Sequence, residues 1–113
     1  MPLKYVLSRP SPENVDILAK NSTSGSFVLS TETYGSEFIV MVDIKAYQTR
    51  YSMNITTDSG VTYSYLKPMA SIVMTYNVTS YVCAIKVSGS GNITISYTSP
   101  DGNIHACQVT VVY

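Results

Sequence analysis

The chain reads as all-β: a single antiparallel β-sandwich of about 7–8 strands, immunoglobulin-like or jelly-roll-like, with an N-terminal arm. Three observations carry that reading. Nearly every apolar run alternates with period two rather than 3.6. β-branched and aromatic residues dominate those runs. Turn residues punctuate them at spacings near ten residues, as in sandwiches. A length of 113 residues fits one domain.

Each element follows from its own residues. "LKYVLS" (3–8) is a strand candidate cut off by "RPSPEN", whose prolines cannot continue a ladder. Residues 1–14 therefore form an arm with a Pro-rich hinge, and 15–113 the sandwich. "ENVDILAK" (13–20) is the one stretch suited to a turn or two of helix. "SFVLSTET" (26–33) and "EFIVMVDIK" (37–45) flank a short "YGS" break. "TRYSMNITT" (49–57) puts Tyr51, Met53 and Ile55 on one face and Ser52, Asn54 and Thr56 on the other. Asp58-Ser59-Gly60 is a hairpin-like connection to "VTYSYLK" (61–67). "MASIVMTYNV" (69–78) is more continuously apolar than the other runs, as expected of a central strand. "SYVCAIKVS" (80–88) aligns Tyr81, Cys83, Ile85 and Val87, and "NITISYT" (92–98) aligns Ile93, Ile95 and Tyr97. Ser99-Pro100-Asp101-Gly102 fits a type I turn. It leads to "IHACQVTVVY" (104–113), which aligns His105, Cys107, Val109, Val111 and Tyr113.

Composition narrows the class of role. Charged residues make up 12% of the chain, with seven basic and seven acidic side chains, about half the usual charged share. That balance lacks the basic footprint of a nucleic-acid binder. Ser and Thr account for 28 residues and Tyr for 10, with no Trp, so hydroxyls rather than charges wet the surface. No apolar run is long enough to span a membrane. The start lacks the apolar stretch and cleavage site of a signal peptide, so export would use a removed signal or another route.

Cys83 and Cys107 share the apolar parity of their strands. A bridge needs Cα atoms within about 7 Å. In a flat meander of the last three strands, residues 92–98 would hold the cysteines about 9.5 Å apart. A disulfide thus requires that one outer strand cross to the facing sheet or that the two pair directly. The count of two and the shared inward parity favour a Cys83–Cys107 disulfide and an oxidising compartment. Two buried free thiols are the alternative. Tyr81-Val82-Cys83 has tyrosine-corner spacing, but no earlier cysteine and no Trp accompany it, so the antibody-type pattern fails.

Four Asn-x-Ser/Thr triplets begin at Asn21, Asn54, Asn77 and Asn92, none with Pro in the middle. Asn54 and Asn92 lie on the polar parity of their strands, Asn21 in a loop and Asn77 near a strand end. Glycans on at least three of the four would displace no core and would solvate a charge-poor surface. The other reading is plain polar decoration of exposed strands.

No catalytic chemistry is legible. His105 is the only histidine and reads as structural; two Cys and one His make no metal set of the usual spacing. The acidic residues are scattered, and the glycines of "SGSG" precede a strand rather than a helix. The reading is non-enzymatic, with no cofactor. Tyr63 and Tyr65, with Tyr51 on the preceding strand, form either core or an aromatic contact face.

In its hydroxyl-rich, Tyr-rich, charge-poor strands with several acceptor triplets, the chain resembles the extracellular β-domain proteins of hyperthermophilic archaea. Among these it is most similar to the subunits of glycosylated archaeal surface filaments, the threads and bundling pili. The resemblance covers 20–113 and the arm at 3–8 and is one of texture, without a diagnostic motif. It implies an extracellular, cell-surface homopolymer built by donor-strand complementation, in which the arm of one subunit completes the sheet of the next. Leu3, Tyr5 and Leu7 would then enter the neighbour's groove, and the partners would be further copies and N-linked glycans. The long apolar N-terminal helix of type IV pilins is absent. Two other roles suit the same residues: a viral capsid, turret or fibre protein, and a monomeric adhesion or carbohydrate-binding module using exposed Tyr.

Overall fold

The structure is a computed structural model that describes residues 14–47, 52–75, 78–98 and 104–113. Eight strands, β1 (Val15–Lys20), β2 (Ser24–Ser30), β3 (Glu37–Tyr47), β4 (Ser52–Thr57), β5 (Val61–Thr75), β6 (Val78–Gly89), β7 (Asn92–Thr98) and β8 (Ile104–Val112), are joined by one short helix, α1 (Thr31–Tyr34). They build a five-stranded sheet in the order β1-β8-β3-β6-β5 and a three-stranded sheet in the order β2-β7-β4. All strand pairs are antiparallel. Up to β5 the chain changes sheet at every connection, and among the described residues the β5–β6 hairpin is the one place where consecutive strands pair. The expected β-sandwich is thus present, and its winding is that of a jelly roll.

Period-two burial explains why these residues form these strands. β3 buries Phe38, Val40, Val42, Ile44 and Ala46, while β6 buries Tyr81, Cys83, Ile85 and Val87. β8 adds Cys107, Val109 and Val111; the smaller sheet answers with Phe27, Leu29, Ile93, Ile95 and Tyr97. Each fully buried Val, Leu, Ile or Phe contributes about 1.5–3 kcal/mol relative to exposure. The connections between sheets need special backbone. Gly89 and Gly91 have φ of 124° and 136°, a region that side chains with a Cβ rarely enter. The Asp58 carboxylate accepts the Asn92 N–H at 2.9 Å, and Thr31 Oγ1 accepts the Gly91 N–H at 2.9 Å. The Ser30 side chain caps α1 by accepting the Glu32 N–H. α1 presents Tyr34 to the core, where its hydroxyl donates to Asp16 Oδ2 at 2.8 Å. Burial first, then that hydrogen bond and the neighbouring charges, push the Tyr34 phenol up to about 12.

Four expectations are corrected. Residues 15–20 form strand β1 rather than a helical turn, because pairing with β8 satisfies their backbone. Asp58-Ser59-Gly60 turns the chain from one sheet to the other, since β4 and β5 do not share a sheet. The apolar run at 69–78 is not central. Its residues to 75 continue β5, an edge strand, and Ile72, Val73 and Met74 are exposed.

The fourth correction concerns the cysteines. Cys83 and Cys107 are both free and buried. Cys83 lies opposite Val42 and Cys107 opposite Ile44, so β3 runs between them, while β7 lies in the facing sheet. Two strand spacings separate them by at least about 9.5 Å, beyond the reach of a disulfide at about 7 Å. Burial pushes the Cys83 thiol up. The Cys107 thiol rises to about 12 through burial first, then through Asp43 and Cys83.

Candidate functional site: an open strand position beside β4

The two sheets differ by two strands, and the shortfall falls on one side. Axes of five strands span roughly 19 Å and those of three roughly 10 Å. At the β1 side the sandwich is closed: Lys20 Nζ lies 5.5 Å from the centre of the Phe27 ring, and Asp16 meets Tyr34. At the β5 side it is open. Tyr63 and Tyr65 pair with Val87 and Ile85, both core residues, and so point to the core face. Yet they are 38% and 47% exposed. Their rings meet edge to face at 6.1 Å.

The same gap shows on the smaller sheet. Met53 and Ile55 of β4 pair with Tyr97 and Ile95 and point inward, but they are only half-buried, whereas the inward residues of β2 and β7 are buried. Among the described residues β4 pairs with β7 on one side alone, and no strand lies along its other edge. In a jelly roll wound as two four-stranded sheets, the fifth strand lies beside the fourth. Here β5 instead pairs with β6. One extended segment laid along β4 would complete the smaller sheet and cover both tyrosines. The free edge of β5 is a poorer template: three register shifts interrupt it, and Pro68 removes a donor.

The sites expected from the sequence fall as follows. Leu3, Tyr5, Leu7, Asn77 and Tyr51 lie outside the described residues, as does the side chain of His105. Asn54 and Asn92 are exposed on the outward face of the three-stranded sheet, in rows of hydroxyls that pair Ser26 with Ser96 and Ser96 with Asn54. Asn21 is exposed between β1 and β2, beside Ala19, Lys45 and Ala106. Among the described residues no group of His, Cys, Asp or Glu is placed to hold a metal, and no helix is long and apolar enough to cross a membrane. The open position beside β4 went unrecognised in the sequence. The Tyr63–Tyr65 alternation was its one local sign.

No protein-family model matches the chain, and no curated protein matches it. Among solved structures, the chain is similar to one in the tripod (BppUct-A-L) from the baseplate of bacteriophage Tuc2009. The identity is 17% and the TM-score 0.45, over 88% of this chain and 62% of that one, so this chain spans about three-fifths of the length it is compared with.

Proposed function

We propose that the chain is a structural, non-catalytic subunit that assembles with copies of itself by strand addition. The arm of one copy fills the position beside β4 of the next, in an extracellular, glycosylated filament. The observation that carries this reading is the pairing of an open β4 edge with the uncovered tyrosines of β5. Leu3, Tyr5 and Leu7 recur at every second residue, the spacing an inserted strand needs to turn one row of side chains into such a groove. The arm precedes β1, at the opposite edge of the larger sheet from β5. The 13 residues of it that precede Asn14, whose backbone pairs with Tyr113, reach at most about 45 Å when extended, comparable with the 44 Å long axis of the domain. Glycans on Asn54 and Asn92 would stand on the outward face, clear of the groove.

A viral capsid, turret or fibre role is the second reading, favoured by the jelly-roll winding, which viral capsid domains also use. Negative-stain imaging of the full chain separates the two, since filaments and closed particles differ in outline. A synthetic peptide of residues 1–13 added in trans should occupy the groove and shorten or abolish the filaments. Filaments that grow unchanged in its excess would refute strand addition by the arm.

A further inference from the structure

The two outward faces of the sandwich are unlike each other. That of the three-stranded sheet is built of Ser, Thr and Asn, with Val28 its one apolar member. That of the five-stranded sheet carries more apolar side chains: Val15, Ile17, Ile39, Met41, Val82 and Ala84 share it with Val112, Thr110 and Gln108 of β8. Ile17 is 62% and Met41 43% exposed. Antiparallel sheets that face water usually alternate polar outward, and large apolar side chains gathered on an exposed face mark contacts. Five strands by about six residues give a face of roughly 480 Å², so two such faces packed together would bury about 1,000 Å², the lower bound for a specific interface.

We infer that this face is an interface between two copies of the chain, packed face to face about a two-fold axis through Met41. Charge and register select a second copy as the occupant. The face carries Glu37 and Asp43 against Lys45 and Lys86, with Lys67 at its β5 rim, so it suits neither a strongly acidic nor a strongly basic partner. β3 is the central strand of five, and its outward residues run Glu37, Ile39, Met41, Asp43, Lys45. A two-fold axis in the interface plane, perpendicular to β3, lays β3 on itself in reverse. Met41 then meets Met41, and Glu37 meets Lys45 of the second copy. The Asp43–Lys45 pair, 3.0 Å apart, stays within each copy and places Lys45 for both acids. A self-complementary patch of this kind closes a dimer and leaves no repeating surface. It uses neither the arm nor β4, and so stands apart from strand addition.

The test is cross-linking of the full chain bearing Met41→Cys by a bismaleimide with a spacer of about 8 Å, matched to sheets packed near 10 Å apart. Val28→Cys, on the hydroxyl face and 61% exposed, is the control, and the unsubstituted chain reports any background from its buried thiols. The Met41→Cys chain should yield covalent dimers at micromolar concentration, at least tenfold above both controls. It should do so equally when Tyr5→Asp blocks the arm. Met41→Arg should weaken dimers at least tenfold in sedimentation equilibrium. Equal yields from the two faces, or no dimer, would overturn the inference; the second result is also what an arm folded over its own sheet would give. Dimers lost with Tyr5→Asp would overturn it too, because the contact would then belong to the filament.

Discussion

Replacing Tyr65 with Ser probes the groove at its most exposed aromatic. The side chain is 47% exposed in the isolated domain, and a tyrosine offers about 200 Å² for burial. An inserted strand would therefore cover about 95 Å² of it, worth about 2.4 kcal/mol at roughly 25 cal/mol per Å². That corresponds to about a 50-fold rise in the concentration needed for assembly. The substitution should leave the domain folded, because Tyr65 lies outside the buried core; it gives up, among its contacts, the edge contact with Tyr63 at 6.1 Å. Such a contact is worth about 1 kcal/mol. Sedimentation of polymer across a dilution series measures the critical concentration, with circular dichroism melting as the folding control. An unchanged critical concentration in a folded variant would show that nothing is inserted over Tyr65.

Three further predictions concern the buried thiols and a corner glycine. Cys83 and Cys107 should resist iodoacetamide at pH 8 in the native chain and react fully in guanidinium; a native mass lower by two hydrogens would restore the disulfide and refute the separation by β3. The Cys107 thiol, ordinarily near 9.0, keeps its proton to about 12 when folded, whereas the unfolded chain releases it earlier. Its contribution is therefore complete below pH 9 and lost as pH rises towards 12, so the melting temperature should fall over that window. Serine at position 107 should flatten the fall attributable to this group, and an identical slope would refute the assignment. Gly89→Ala places a Cβ against the Gly60 carbonyl at a φ of 124°, and should cost at least about 1–3 kcal/mol. A urea midpoint equal to that of the parent chain would show that the corner relaxes freely.

Parity along each strand was legible, and with it the core. Tyr81, Cys83, Ile85 and Val87 are buried as their alternation demands, and so are Ile93, Ile95 and Tyr97. Period two says which face a residue takes but not which strand lies beside it. That is why β3, distant in sequence, was not foreseen between the two cysteines. The run at 69–78 misled for a related reason: its apolar residues fall on both parities, which reads as burial on two faces, yet Ile72, Val73 and Met74 stand at an exposed edge. "ENVDILAK" carries too few apolar positions to separate strand from helix, and only pairing with β8 decides it. The groove was illegible because it is the absence, among the described residues, of a strand beside β4, and no local pattern encodes an absence. Tyr63 and Tyr65 gave the right face, though not the reason that the face is bare.

The pairing of β1 with β8 has a kinetic consequence. Val15 lies opposite Val112, and β8 sits between β1 and β3, so the last of the eight described strands to be made is the wedge that joins earlier-made parts of the larger sheet. Until it arrives, β1 has no neighbour and β3 has one open flank. The β5–β6 hairpin is the sole ladder that can zip locally, and every other rung must wait for loop closure over long stretches of chain. Completion of the larger sheet is thus a late, all-at-once event, and nascent chains paused before residue 104 should expose the β3 edge to aggregation.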